Sequence, residues 1–399
     1  MKVIKYGIAF ILCVASASAQ NIMTSSPYSM YGIGESSDGH FGLSSAMAGT
    51  ALGVRENLRI NTENPAGLTS MDTLKLIAET SAFAKFESYA SHGNSNDAFT
   101  GNFSTFSIGG RIMKRWYTAF GVSPYSFVGY YFKANQQLEG SPTEYYKSTF
   151  EGDGGLSKAT LSNAFMLMPN LSIGANVSYI FGNIYETETQ SAMTVKKQMY
   201  AHLIHADFGL QYSRQLAKEM ALTIGAVYSY KQRVNFETDL TVTGTSTSTN
   251  YNENNVHQYL PQYYGIGAAL SYKKYVFAAD FYNRDYSVLT SGVSNVKFRN
   301  AQELRLGTVY TPGGYSSSGL WKRVVYRGGL AFTRPNMKVN DKEGLGLRIS
   351  GGLGFPVQGG QISLGFFYDH LQYQSALKRN LTGFTITYTL SERMYRVKL

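Results

Sequence analysis

The sequence predicts an all-β fold: a 14-stranded antiparallel transmembrane β-barrel with an N-terminal segment in its lumen. Three observations point there. From about residue 73 onward, apolar and polar residues alternate with period two, as in strands with one apolar and one polar face. The alternating segments number fourteen, an even count suited to a closed antiparallel wall. Beyond the N-terminus no run of about 18 apolar residues occurs, so any membrane passage must be made by strands rather than helices.

The first element, residues 1–19, reads as an export signal. Lys2 and Lys5 precede a continuously apolar run from Ile8 to Val14, and Ala17-Ser18-Ala19 supplies the small residues of a cleavage site. The apolar run is too short to span a bilayer. The single cysteine, Cys13, lies inside it and follows Ile11 and Leu12, whereas a lipidated cysteine follows small residues. The expected mature chain therefore has no thiol for disulfide, metal or nucleophile chemistry. The net charge of +10 falls to +8 once Lys2 and Lys5 leave with the signal. No basic run or recognised motif points to nucleic acid, and anionic lipid head groups are the expected counter-charge of an exported chain.

Residues 20–72 lack the strand pattern. They are rich in Gly, Ser, Ala and Asn, and the stretch Phe41 to Gly53 has the small residues that allow close packing inside a lumen. The remaining 73–399 forms the wall, with strands starting near Thr73, Thr100, Trp116, Ser157, Leu171, Val195, Met220, His257, Tyr275, Val296, Val324, Gly346, Gln361 and Thr382. In the last strand Phe384, Ile386, Tyr388 and Leu390 are expected to face lipid, and Thr385, Thr387 and Thr389 the lumen. Lys114-Arg115, Pro169-Asn170 and Lys273-Lys274 read as tight turns at one end. Residues 133–156 and 242–255 read as long polar loops at the other, and the linker from Thr311 to Arg323 is longer than its end of the barrel requires. A composition of 31 Tyr, 23 Phe and 41 Gly against 9 Pro suits aromatic girdles and small lumen residues.

Asn64-Pro65-Ala66, the small-residue segment Ala48 to Gly53 upstream, and the start of the first strand soon afterwards resemble the FadL family of outer-membrane transporters. Ser26 to Gly34 and Gly154-Gly155-Leu156-Ser157 are similar to that family's Bacteroidota-type branch. The resemblance implies a fourteen-stranded barrel in the outer membrane of a Gram-negative cell, with residues 20–72 as a hatch carrying the Asn-Pro-Ala motif. It implies uptake of long-chain fatty acids or similar hydrophobic small molecules, bound in a lumen pocket and released sideways near the third strand. Outer-membrane lipids and a hydrophobic ligand are the implied partners. The alternative within the resemblance is a PorV-like barrel that partners proteins of secretion or surface assembly.

The third strand, Trp116 to Phe132, contains Gly121-Val122-Ser123-Pro124. Proline has no N–H for a ladder, so Pro124 with Gly121 is the candidate lateral opening. Arg111, Arg305, Arg327 and Arg348 face the lumen by parity and are candidate partners of a ligand carboxylate, although salt bridges with lumen acids are the ordinary fate of such charges. No cofactor is expected. His202 and His205 fall on opposite faces of a strand and cannot share a metal ion. An outer-membrane lipid hydrolase would need a nucleophile, base and orienting group in one place, and no Gly-x-Ser-x-Gly elbow is present, so no enzyme is expected.

Overall fold

A computed structural model describes residues 26–37, 42–91, 94–137, 145–191, 193–253, 256–289, 296–313, 319–373 and 377–393. The export signal at 1–19 lies outside the described residues. A short strand, β1 (Glu35–Ser36), comes first and is not part of the regular wall. The wall begins with β2 (Lys75–Ser91), β3 (Asn94–Met113), β4 (Trp116–Gln137), β5 (Tyr145–Met168), β6 (Leu171–Gln190) and β7 (Met193–Ala217). Its seventh passage is divided into β8 (Met220–Ser229) and β9 (Gln232–Thr243), and its eighth into β10 (Ser248–Glu253), β11 (His257–Leu260) and β12 (Gln262–Tyr272). Then come β13 (Tyr275–Asp285), β14 (Val296–Phe298), β15 (Asn300–Tyr310), β16 (Val325–Arg334), β17 (Met337–Val339), β18 (Gly344–Val357), β19 (Gly360–Tyr373) and β20 (Leu377–Arg393). β2 pairs with β20 from Lys75↔Arg393 to Ala90↔Lys378, which closes fourteen antiparallel passages into a barrel.

The faces follow parity. Phe384 and Ile386 are exposed on the outside, while Thr385, Thr387 and Thr389 are buried on the inside. The outside of the other strands carries the same kind of residue, among them Phe208, Ile266, Phe277 and Phe332. A belt of exposed apolar side chains on this scale is what a bilayer covers. No helix among the described residues is long and apolar enough to cross a membrane. Ile386→Arg is therefore expected to destabilise the barrel by about 2 to 4 kcal/mol, the range for a cation at the bilayer midplane. Folding titrations in lipid vesicles would measure it, and a neutral outcome would place Ile386 away from lipid.

Two expectations about the wall need correction. Residues 133–156 and 242–255 are not loops for most of their length. β4 and β5 continue pairing out to Gln137↔Tyr145, and β9 pairs with β10 from Thr238↔Glu253 to Thr243↔Ser248. In these outer stretches the apolar alternation that marks a strand fades while the backbone ladder continues. The second concerns Val296, which starts no wall strand: β14 pairs with β17 in a separate two-stranded ribbon, and the wall resumes at Asn300. Val296 on one strand of that ribbon and Met337 on the other are buried. In the linker 311–323, residues 320–323 form one helical turn with Leu320 and Trp321 exposed.

The interior is filled from the N-terminal side. Two 3-10 turns, Gly42–Met47 and Pro65–Ser70, lie in a segment whose hydrogen bonds reach wall strands all around the ring. The Ala48 N–H donates to Ser350 Oγ on β18, Ser45 shares a hydrogen bond with Thr385 on β20, and Thr69 with Ser172 on β6. Only a position inside the barrel allows all of these at once. Ile60, Leu68 and Met71 pack on Ile77, Tyr117, Ala119 and Ala164, and Met47 and Val54 pack on Ala269, Ala278 and Val309.

Candidate functional site

The wall is not evenly stitched. β3 and β4 start paired at Met113↔Trp116, and their pairing ends at Phe106↔Val122. Beyond that point β3 continues with β2 as far as Ser91↔Asn94, and β4 continues with β5 to Gln137. The outer half of the β3–β4 seam therefore has no ladder. Pro124 stands two residues past the last pair and beside a bulge in the β4–β5 register between Pro124 and Ser126. A residue with no N–H cannot extend a ladder, and the bulge turns the strand away from its former neighbour. Gly121 is the last inward-facing residue before the break, paired with Ser107.

A cavity of about 110 Å³ lies behind this seam. Residues 121–124 of β4 and Thr105 and Ser107 of β3 line it from the wall, and Arg59, Glu63 and Ser44 from the inserted segment. Glu79 and Lys158 complete a lining that holds both signs of charge. Glu79 Oε2, Arg59 Nη1 and Asn176 Oδ1 are buried around it without a hydrogen-bond partner among the described residues. Hydroxyls, amides and charges converge on this one small space beside the part of the seam that has no ladder.

The inserted segment is held by the motif nominated from sequence. Asn64 is fully buried: its Nδ2 donates to Leu52 O at 2.9 Å and Leu210 O at 3.2 Å, and its Oδ1 accepts from the Ala66 N–H at 3.2 Å. That last contact caps the 3-10 turn whose first residue is Pro65, a position where the missing N–H is harmless. Asp280 of β13 receives the Ala51 and Leu52 N–H groups at 2.7 and 2.9 Å. Asn176 donates to Thr62 O at 2.8 Å, and Gln211 to Leu52 O at 2.8 Å.

Three of the four nominated arginines are taken up by the protein's own carboxylates. Arg305 pairs with Glu303 at 2.8 Å and Glu63 at 3.5 Å, Arg327 with Glu56 at 2.8 Å, and Arg348 with Asp369 at 2.5 Å. Arg111, half-buried at the short-turn end of β3, does not line the cavity. Burial pushes the Glu56 carboxyl up, but Arg327 and Arg59 outweigh it and hold Glu56 below the usual carboxylate range. The arginine that does line the cavity is Arg59, which period-two parity could not place because its segment is not a strand. Lys158, one residue past the expected start of its strand, was missed for a related reason.

The sequence model of the BamG family matches residues 2–395. The chain belongs to the BamG family. A search of the curated proteins found no match. Among solved structures, this BamG-family chain is similar to the toluene transporter TodX of Pseudomonas putida, with 13% identity and a TM-score of 0.60 over 90% of this chain and 100% of that one. A FadL homologue from Pseudomonas aeruginosa gives 12% identity and 0.59 over 92% and 100%. The toluene transporter TbuX of Ralstonia pickettii gives 14% and 0.54 over 94% and 100%. At such identities the likeness is one of fold: the BamG-family chain has the architecture of FadL-type barrels.

Proposed function

We propose that this barrel is an outer-membrane channel for uptake of hydrophobic small molecules that carry a polar end, long-chain fatty acids or similar amphiphiles. The observation that carries the reading is the seam that opens between β3 and β4 beyond Phe106↔Val122, with the polar cavity directly behind it. An apolar tail gains about 25 cal/mol per Å² of buried surface only while it avoids water, so a sideways route from lumen to bilayer preserves the gain that an aqueous exit would forfeit. Gly121 and Pro124 frame the route, and the segment bearing Asn64, Pro65 and Ala66 is the hatch that keeps the lumen from passing water-soluble solutes. The similarity to a toluene transporter and to a monoaromatic hydrocarbon channel supports the reading.

In this scheme Lys158 and Arg59, rather than the arginines committed to ion pairs, receive an anionic head group. Lys158→Met is expected to weaken dodecanoate binding by about tenfold, one charge-assisted hydrogen bond, and to leave toluene binding unchanged. Calorimetry on the detergent-solubilised barrel measures both. An equal loss for the two ligands, or none for either, removes Lys158 from the site. Mass spectrometry of molecules carried through purification tests the wider reading: an extracted amphiphile supports it, and large protein partners without any bound lipid would replace it with a role in secretion or surface assembly.

A further inference from the structure

The cavity behind the β3–β4 seam contains buried polar atoms of both kinds that the protein itself does not satisfy. Glu79 on β2, Asn176 on β6 and Arg59 of the inserted segment all line it, and they are 6%, 3% and 5% exposed. Among the described residues Glu79 Oε2 and Asn176 Oδ1 are acceptors without a donor, and Arg59 Nη1 is a donor without an acceptor. The orientation of the Asn176 amide is fixed. Its Nδ2 donates to Thr62 O at 2.8 Å and to Asp207 Oδ2 at 2.6 Å, which uses both hydrogens and leaves Oδ1 as an acceptor only. Lys158 on β5 lines the same space and brings a second cation, its Nζ 5.8 Å from the centre of the Tyr125 ring. Glu63, the other acid of the lining, is already taken: Ser44 Oγ donates to it at 2.7 Å, and Arg305 pairs with it at 3.5 Å.

A buried polar atom without a partner is costly, and more so when it carries charge, so acceptors and donors gathered around one space call for a ligand that answers both. A bare carboxylate answers only Arg59 and Lys158. It has no hydrogen to give Glu79 Oε2 or Asn176 Oδ1, and it brings negative charge up against a carboxyl. An ammonium alone makes the reverse error. A head with an ammonium and a carboxylate on neighbouring atoms supplies N–H donors to the two acceptors and oxygen acceptors to the two cations. The volume of about 110 Å³, equal to three or four waters at ~30 Å³ each, admits so compact a head and excludes a sugar. Leu43, Ile60 and Val122 line the same cavity and give the first carbons of a chain apolar contact.

We propose that this cavity takes an amphoteric amphiphile, one whose head carries an ammonium and an anionic group together. The ammonium donates to Glu79 and Asn176, and the anion accepts from Arg59 and Lys158. This rests on the uptake reading and narrows its substrate class. A plain hydrocarbon leaves all four groups unanswered, and a fatty acid leaves two. A site built around hydrogen bonds rejects an analogue that lacks them, because its own buried groups are then left unpaired. A ligand that displaces solvent from such groups likewise gains affinity only by reproducing both kinds of hydrogen bond.

The test compares 2-aminododecanoate, dodecanoate and dodecylammonium by calorimetry on the detergent-solubilised barrel. The three share a carbon skeleton and differ in the polar groups at its end. 2-Aminododecanoate is expected to bind about tenfold more tightly than either of the others, the effect of one further charge-assisted hydrogen bond. Glu79→Gln keeps the shape and removes the charge. In a barrel that heat-modifiability gels show to be folded, it is expected to cost 2-aminododecanoate about tenfold and to leave dodecanoate no weaker. Dodecanoate binding as tightly as its amino derivative, a comparison that needs no variant, overturns the amphoteric head and leaves uptake of fatty acids standing. A preference for 2-aminododecanoate that Glu79→Gln does not reduce overturns the site. Binding of none of the three overturns the inference, and toluene then decides the wider reading: bound toluene keeps the channel, and its absence ends the uptake reading as well.

Discussion

Gly225→Val is expected to unseat the inserted segment while leaving the wall assembled. Gly225 lies on the inner face of β8, paired with Gln211 and Gly267 through backbone groups that a side chain does not touch. A Cβ at this position would meet Leu52 O and Leu52 C, both backbone atoms, and Asn64 Nδ2 at 2.9 Å. Real Cβ atoms do not approach backbone so closely, and the obstacle cannot rotate away as a flexible side chain would. Overpacking of this kind costs about 1 to 3 kcal/mol where neighbours can give, and more where they cannot. The displaced Leu52 carbonyl also loses its two donors, Asn64 Nδ2 and Gln211 Nε2, at a further cost of about 1 to 3 kcal/mol for a buried unsatisfied group. The expected result is a barrel that still migrates as folded in heat-modifiability gels, conducts small ions through an opened lumen, and is cut by protease within residues 42–72. Persistence of both the closed pore and the protease resistance would show that Leu52 and Asn64 are not seated on Gly225.

That variant also marks where sequence ceased to be informative. The outer wall was legible because lipid on one side and lumen on the other impose period two, and β20 shows it without a break: Phe384 and Ile386 outside, Thr385 and Thr387 inside. Lumen charges were legible by the same parity, which placed Arg305, Arg327 and Arg348 inside. Their partners were not. Glu56 and Glu63 belong to a segment with no period at all, so nothing in the order of residues says which arginine each will reach. β1 was hidden for a different reason: two residues of strand make no periodic signal, and the need for Gly34 appears only once Phe127 O is in place. Pro124 was the readable trace of the whole arrangement, because a missing N–H is a property of the residue itself and not of its surroundings.

Arg305→Met is expected to lower the stability of the folded barrel by about 3 to 5 kcal/mol, the range for removing one partner of a buried ion pair. Arg305 is 2% exposed, and each of its terminal nitrogens is engaged: Nη1 donates to Gly49 O at 2.8 Å, and Nη2 to Glu303 at 2.8 Å. Its guanidinium also lies 4.4 Å from the centroid of the Tyr282 ring. Methionine keeps most of the volume but leaves Glu303 with Arg284 at 3.5 Å and leaves the Gly49 carbonyl without this donor. Both deficits fall at the junction between wall and inserted segment, so the loss should appear in the unfolding midpoint and in protease resistance of the segment together. Adding Glu303→Gln should restore part of the stability, because the carboxylate left behind contributes much of the penalty. The same pair of variants separates the two roles open to Arg305. A residue reserved for a ligand carboxylate would, when replaced, change dodecanoate affinity and leave the unfolding midpoint where it was; a residue consumed in holding Gly49 and Glu303 would do the reverse, and the geometry predicts the reverse.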